Sequence, residues 1–441
     1  MVAGSVGEVA ALAFPAVLHT LSDTLMQVVD AAIVGRLGVT ELAAVGFAGI
    51  WIWTLICFFV GSATGVQTFV AQEYGARQWQ QCGAWVWHGL YAMLPIVLLW
   101  TLILAATVQP LLGMLGSDAD MLRLAGDFGR SRLWGLPAIA ATVVLTSYFR
   151  GLGDTRTPLV IAVIADLIDT ALSYGLVFGR FGLPEWGVFG AGAATSLGNW
   201  FAAGMMLFAF LRPGMRRYGT RPVRPDAIAT RRFVRTSAPV GGQWVLEMVS
   251  FAVFSTIIAR MGAAPMAASQ AMILLLSLSF MQAYGISIAS GALVGRYIGA
   301  HDLDAAARSH RSALRLGLLL AALVATLFLT IPDALLRIFS NDQEVLALGR
   351  PLLGLGAFFQ LIDAVGIIVG GSLRGAGDTR WPFLVHASLA WALRLPLVYL
   401  LAVRLDGGVT GAWAAELAYI AVLAVAFLLR FRTGAWQRIR I

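Results

Sequence analysis

Arg150-Gly151-Leu152-Gly153-Asp154-Thr155-Arg156-Thr157-Pro158 returns downstream as Arg374-Gly375-Ala376-Gly377-Asp378-Thr379-Arg380-Trp381-Pro382. The step from Arg150 to Arg374 is slightly more than half of a chain of 441 residues. The same offset pairs Phe14-Pro15 with Ala238-Pro239, Gly35-Arg36-Leu37-Gly38 with Ala259-Arg260-Met261-Gly262, and Gly75-Ala76 with Gly299-Ala300. Registration therefore runs from one end of each half to the other, which marks an internal duplication rather than a stray motif.

Composition places both halves in a membrane. Hydrophobic residues make up 59% of the chain and charged residues 12%, and the mean hydropathy is +0.81. Soluble domains are about half apolar and about a quarter charged, so no soluble core could hide this much apolar surface. Lysine is absent, and all 31 basic residues are Arg. That excludes a P-loop, which needs its Lys on the phosphates, and a pyridoxal enzyme, which needs one for its Schiff base. The net charge of +8 would suit nucleic acid, but the arginines fall in short loops between apolar runs, where they orient a membrane protein, and no nucleic-acid partner is expected. Two cysteines, Cys57 and Cys82, make neither a disulfide framework nor a metal cluster and read as packing residues. As far as Val34 the chain carries only Glu8, Asp23 and Asp30 as charges and no positive leader, so the first apolar run reads as a retained helix.

Apolar runs of spanning length lie near 9–34, 44–72, 84–108, 124–148, 158–179 and 188–211, then near 236–260, 266–296, 311–331, 346–372, 382–404 and 410–430. The fold class is thus all-α integral membrane, with twelve transmembrane helices in two six-helix repeats. Residues 1–211 form the amino-terminal lobe and 236–441 the carboxy-terminal lobe. The stretch 212–235, with eight arginines and the single acid Asp226, reads as a basic linker. Arginines also crowd the other even-numbered connections and the tail: Arg77, Arg150, Arg156, Arg296, Arg308, Arg311, Arg374 and Arg380, then Arg430, Arg432, Arg438 and Arg440. By the positive-inside rule these sides, and both termini, are cytoplasmic. Six spans return each half to its starting side, so the repeats are parallel, and transporters built this way bind substrate where the repeats meet.

The duplicated turn has a local explanation. Arg150 and Arg374 would sit at helix C-termini, where a cation complements the dipole, and the glycines can take the left-handed cap conformation. Asp154 or Thr155 can cap the helix that opens near Pro158.

Ionisable residues inside spans carry the functional signal, since each costs about 2.5 kcal/mol or more in hydrocarbon and is placed in cavities or pairs. Acids prevail: Asp23 and Asp30 on the first span, Asp166 and Asp169 on the fifth, Glu247 on the seventh, Asp363 on the tenth and Glu416 on the twelfth. Arg394 is the cation among them, a partner for Asp363 or Glu416, and His19 and His386 are titratable. A cavity lined this way is net acidic. His19, Asp23 and Asp30, at spacings of four and seven, share one helix face, and the repeat offset aligns Asp23 with Glu247. The competing reading of each is a polar contact between helices, as for most bundle histidines. Asp166 and Asp169 lie nearer a cytoplasmic end, where solvent can reach them. Tryptophans such as Trp51, Trp53, Trp85, Trp87 and Trp100 read as interface anchors or packing.

Asp30-Ala31-Ala32-Ile33-Val34-Gly35-Arg36, followed by Glu41-Leu42-Ala43-Ala44-Val45-Gly46, resembles the first-helix signature of the multidrug and toxic compound extrusion (MATE) transporters. So do Phe359-Gln360-Leu361-Ile362-Asp363-Ala364-Val365, Gly371-Ser372-Leu373-Arg374-Gly375, Pro239 and Trp244-Val245-Leu246-Glu247, and the resemblance covers essentially the whole chain. It implies two six-helix lobes in a V around a central cavity. The implied activity is alternating-access export of amphipathic, mostly cationic drugs and toxic organic compounds, coupled to inward flow of Na⁺ or H⁺, without ATP or a cofactor. Asp30 is similar to the family's first-helix acid. Glu247 and Asp363 are similar to the acidic pair that binds the coupling cation in NorM-like members, and would ligate Na⁺ through oxygen if Na⁺ couples. Members that use the amino-terminal lobe for protons pair the first-helix acid with an Asn and an Asp four residues apart on the fifth helix, and here those places hold Asp169 and Ser173. Asp23, His19, Asp169 and Arg394 are the candidate substrate-cavity residues. The implied setting is the inner or plasma membrane, in contact with the bilayer, as a monomer. The rival function is a lipid-linked precursor flippase of the same broader superfamily, which needs several cations for a pyrophosphate where this chain offers chiefly Arg394. An enzyme would need clustered ligands, and the histidines at 19, 88, 301, 310 and 386 are scattered.

Overall fold

The computed structural model describes residues 2–113, 119–339 and 342–439, apart from the side chain of Leu278; Arg440 of the basic tail lies outside them. Regular structure among the described residues is helical. The first half comprises α1 (Val6–Gly35), α2 (Val39–Ala63), α3 (Val66–Gly75), α4 (Trp79–Gly113), α5 (Ala119–Leu133), α6 (Leu136–Leu152), α7 (Arg156–Phe178) and α8 (Gly187–Leu211). The second comprises α9 (Ala227–Ala259), α10 (Ala263–Gly299), α11 (Leu303–Thr330), the short α12 (Pro332–Leu336), α13 (Gln343–Gly375), α14 (Arg380–Leu389), α15 (Leu395–Val398) and α16 (Gly408–Arg432). Eleven stretches are long and apolar enough to cross a membrane, with Val39–Gly75 and Arg380–Arg404 each counted as one, and the bent pair α5–α6 makes the twelfth. Large apolar side chains such as Leu98, Leu99, Leu102, Leu319, Leu323 and Val425 face outward, as lipid-facing surface requires.

The duplicated turn is built alike in both halves. Arg150 and Arg374 stand in the last turns of α6 and α13, and Gly153 and Gly377 take φ of 83° and 86°, the left-handed region that glycine enters without strain. The other glycine of each copy serves packing. A Cβ on Gly151 would come within 3.0 Å of the Gln67 carbonyl oxygen, and one on Gly375 would collide with that of Gly291. Gln67 and Gly291 are themselves related by the repeat offset, so the same close helix crossing occurs twice. In the second half Gly371 adds a contact on Ser287 one turn earlier, giving the small-residue seam that lets membrane helices approach closely.

Two spans are irregular, and in the first of them side chains satisfy the backbone groups that the break exposes. The α5–α6 pair bends by 48° at Trp134-Gly135, ahead of Pro137, whose missing N–H suits a helix start. Ser196 Oγ donates to the carbonyls of Ser131 (2.7 Å) and Arg132 (3.0 Å), and Trp200 Nε1 to that of Trp134 (3.0 Å). The eleventh span is π-helical over Ala390–Arg394 and Tyr399–Arg404, on either side of α15. Pro396 cannot donate to the ladder, and the widened turn before it accommodates that loss.

The chain divides into two compact units, Leu18–Gly241 and Met1–Val17 with Gly242–Ile441. The divisions after Val17 and after Gly241 are again related by the repeat offset, and each falls just beyond a proline inside its helix, Pro15 and Pro239. The opening of the first span thus belongs with the second half, where Val9 and Ala13 pack with Ile286, Ala289 and Leu293. Glu8 there accepts from Tyr297 Oη (2.8 Å), and Ser312 Oγ donates to the Gly4 carbonyl (2.7 Å). The opening of α9 belongs with the first half. The basic stretch 212–235 is accordingly structured: a 3₁₀ turn spans Pro213–Tyr218, Trp87 Nε1 and Tyr91 Oη donate to the carbonyls of Thr220 and Val223, and α9 begins at Ala227. Cys57 and Cys82 are free and buried. Outside the spans, Asp333 of α12 pairs with Arg350 at 2.6 Å, and that hydrogen bond holds its carboxyl below the usual range.

Candidate functional site

In the Leu18–Gly241 unit the acids form two groups. The first lies around Ser22, whose hydroxyl donates to Asp166 of α7. His19 Nδ1 stands 3.4 Å from Asp23 Oδ2 and 3.4 Å from an Arg150 nitrogen, so the cation at the end of α6 reaches this group. Asp23 is exposed and His19 half-buried.

The second group lies two turns further along α1. Asp30 is half-buried, and its Oδ1 is screened from solvent with no hydrogen-bond partner among the described residues. Asp169 of α7 is buried, and Ser173, one turn on, donates to its Oδ1 at 3.4 Å and also lies in range of Asp30. Arg132, at the bend between α5 and α6, lies in electrostatic range of both carboxylates. The shared face of α1 thus serves two neighbourhoods, and Asp166 and Asp169, less than a turn apart, face different ones. Arg132 is the residue that sequence reasoning missed, because Arg394 reads as the cation among the intramembrane acids. The signal was Gly135-Leu136-Pro137: a break inside a span places the charge before it at depth.

The other unit carries a denser network. Glu247 of α9 meets His386 of α14 through Oε2 and Nε2 at 2.5 Å, and Arg394 through Oε1 at 3.5 Å. Arg394, 1% exposed, donates through Nε to Glu416 of α16 at 2.7 Å and through a terminal nitrogen to Ser250 at 2.8 Å. Its guanidinium lies 5.7 Å from the ring of Phe254 and 5.2 Å from that of Tyr419, a placement that favours a cation. Tyr419 Oη reaches His386 Nε2 at 3.3 Å. Asp363 of α13 faces this network, where its charge interacts with those of Glu247 and Glu416, but Arg394 spends its direct contacts on Glu416, Glu247 and Ser250. The π turn preceding Pro396 carries Arg394, so the irregular backbone and the central cation share one position.

Among the described residues no group of three or more His, Cys, Asp or Glu is arranged to hold a metal ion. A separate cavity of about 690 Å³ lies along α7 and α8, lined by Arg156, Trp200, Phe201, Phe208 and Arg212 among others, and contains none of the acids.

The family model MatE matches residues 15–174 and 239–400, one match in each half. The chain is 30% identical to the "Probable multidrug resistance protein NorM" of Pseudomonas aeruginosa, over 98% of this chain and 89% of that protein. It is 26% identical to the protein of the same name from Thermotoga maritima, over 98% and 93%. Among solved structures, one described as an outward-facing conformation of a multidrug resistance MATE family transporter of the MOP superfamily matches 98% of this chain and 96% of its own, with a TM-score of 0.89 and 18% identity. That likeness bears on the fold.

Proposed function

Because the chain belongs to the MatE family of membrane transporters, we propose that it exports amphipathic, mostly cationic organic compounds by alternating access, driven by inward flow of Na⁺ or H⁺. The observation that carries the reading is the excess of buried or half-buried acids in each unit: Asp30 and Asp169 around Arg132, and Glu247, Asp363 and Glu416 around Arg394. In surroundings of low dielectric such an excess attracts organic cations and small coupling cations alike. Two ligands that favour different conformations drive each other's release without ATP. Asp30, Glu247 and Asp363 are the coupling residues in this reading, with Asp23, His19, Asp169 and Arg394 closer to the substrate. The relatives' names, as multidrug resistance proteins, support the substrate class.

Arg394 bears on the flippase alternative. Its contacts with Glu416 and Glu247 leave it committed to carboxylates, so it is a poor receptor for a pyrophosphate. The arginine-rich connections favour an inner-membrane protein with both termini cytoplasmic, acting as a monomer. The test uses purified protein in liposomes with a matched cationic and anionic dye, in separate Na⁺ and pH gradients. The cationic dye should move, and Asp30→Asn, Glu247→Gln and Asp363→Asn should each insert normally and lose that movement. Faster anionic dye, or full activity in all three variants, would sink the reading.

A further inference from the structure

We propose that the groove along α7 and α8 is a binding site for one anionic phospholipid, with the phosphate at Arg156 and Arg212 and an acyl chain lying over Gly204 between Trp200 and Phe208. The site is separate from the acid clusters, and the inference does not depend on the transport reading.

The groove, about 690 Å³ in volume, has one charged end and an apolar length. α7 opens at Arg156 and α8 closes at Leu211, just before Arg212. A short connection joins the two helices at their other ends, so both arginines stand at the same end of the groove. Both are exposed, and among the described residues neither guanidinium has a hydrogen bond or an ion pair. The neighbouring carboxylate of Asp154 is engaged in the cap of α7, where it accepts from the backbone N–H groups of Arg156 and Thr157 and from the Thr157 hydroxyl. Two uncommitted guanidinium groups at the edge of the hydrocarbon suit a phosphate, which they can hold through paired N–H groups.

Below the arginines the lining is apolar. Trp200, Gly204, Phe208 and Arg212 recur at intervals of four and share one face of α8. A Cβ on Gly204 would meet nothing within 4 Å, while Phe208, 79% exposed, and Trp200, 50% exposed, stand one turn to either side of it. The glycine is therefore a notch between two aromatic rings. Trp200 Nε1 donates to the Trp134 carbonyl at 3.0 Å, which holds that ring, and Val160 adds exposed apolar surface from α7. From Trp200 to Arg212 the helix rises about 18 Å, and one leaflet of hydrocarbon is about 15 Å deep, so the notch and its flanking rings lie at the depth of an acyl chain whose headgroup is at the arginines. The second half carries no counterpart of the notch. At the repeat offset Gly204 corresponds to Leu428, Phe208 to Arg432 and Arg212 to Trp436, and Trp436 is buried and stacked on Phe431. Lipid that merely coats the protein would treat the two halves alike, whereas the first half alone sets a notch beneath its cations.

The experiment is native mass spectrometry of the purified full-length protein in detergent, titrated with dioleoyl phosphatidylglycerol and, separately, with dioleoyl phosphatidylcholine. The first phosphatidylglycerol should bind roughly 30-fold more tightly than the first phosphatidylcholine, the preference expected of two arginines near the membrane surface. Arg156→Gln combined with Arg212→Gln should remove that preference. Arg380→Gln combined with Arg432→Gln takes the same charge from exposed positions at the corresponding end of the second half and should leave it. Gly204→Leu fills the notch with the residue that the second half carries there and should weaken phosphatidylglycerol binding several-fold. Because its Cβ enters open space, it also decides the matter where the double arginine variant fails to fold. Equal binding of the two lipids by the wild type, a preference that survives loss of Arg156 and Arg212, an equal fall in the Arg380 and Arg432 variant, or unchanged binding in Gly204→Leu overturns the proposal. A dimer that Gly204→Leu breaks overturns it too, since a second copy of the chain would then occupy the groove.

Discussion

The two acid clusters stand on the same duplicated scaffold and share almost none of their chemistry. The first unit holds Asp30 and Asp169 near Arg132 without direct ion pairing, and one Asp30 oxygen has no partner among the described residues. The second locks Glu247, Glu416, Arg394, His386, Tyr419 and Ser250 into one hydrogen-bonded assembly. At the repeat offset Asp30 corresponds to Phe254, Thr170 to Arg394 and Gly192 to Glu416. The acid of one half is thus a ring beneath the guanidinium in the other. Duplication preserved what the backbone needs, the prolines, the left-handed glycine and the close helix crossing, and left the polar side chains free to diverge. The first cluster can change its charge with little rearrangement, whereas the second is a connected framework that also carries structural load.

The largest expected effect separates the clusters by their arginines. Arg394→Gln leaves Glu416 buried without its partner, and breaking a buried ion pair costs about 3–5 kcal/mol, so the purified variant should unfold at a much lower temperature. Arg132→Gln removes a charge that meets its acids only at longer range and should lower the unfolding temperature far less. Transport should report the opposite balance, because Arg132 offsets the charge of the Asp30 cluster without bracing it. Equal thermal losses in the two variants would show that the first cluster is as tightly built as the second.

A smaller effect tests the scaffold that both share. Gly375→Ala drives a Cβ into the Gly291 backbone, which cannot rotate away, so α10 and α13 must separate. Gly151→Ala meets the Val70 side chain at 2.8 Å and the Gln67 carbonyl at 3.0 Å. Overpacking of this kind costs about 1–3 kcal/mol. Both variants should be destabilised in thermal unfolding, Gly375→Ala the more because its nearest atoms are all backbone. A neutral Gly151→Ala would mean that the crossing is loose in the first half and that the packing symmetry is only apparent.

The repeat, the class and the span count were legible in the sequence because apolar run length and a duplicated turn are local signals. The acids were legible too, since charge is conspicuous in an apolar helix. Their partners were not. His386, Ser250, Tyr419 and Arg132 converge from different spans, and nothing local to any of them says which acid it meets. Arg394 could be matched to Asp363 or Glu416 by charge alone, and only the geometry shows that it chooses Glu416 and Glu247. The basic stretch 212–235 reads as a linker by composition, yet α9 opens inside it at Ala227, because arginines at helical spacing are indistinguishable from a polar loop until their neighbours are known.

The smallest effect concerns the two aspartates of the duplicated turn. Asp154 accepts from the backbone N–H groups of Arg156 (3.1 Å) and Thr157 (3.0 Å) and from the Thr157 hydroxyl (2.6 Å), so it caps α7. Asn caps a helix about as well as Asp, so Asp154→Asn should leave the unfolding temperature nearly unchanged, while Asp154→Ala should cost about 1 kcal/mol. Asp378 is buried and instead accepts from Arg430 Nε at 2.8 Å, with that guanidinium 5.2 Å from the Trp381 ring. Arg430 corresponds at the repeat offset to Met206, so the first half has no cation at that position. Asp378→Asn keeps the shape but loses a charge-assisted hydrogen bond, worth about 1.5–3 kcal/mol, and should destabilise clearly where Asp154→Asn does not. The pair is best measured side by side in thermal unfolding, with Arg430→Met as the third arm, since that substitution makes the second half resemble the first. If Asp154→Asn proves as damaging as Asp378→Asn, the two turns bear the same load and the divergence at Arg430 has no energetic consequence. If Arg430→Met is as costly as Asp378→Asn, the ion pair is what the second half added to an inherited cap.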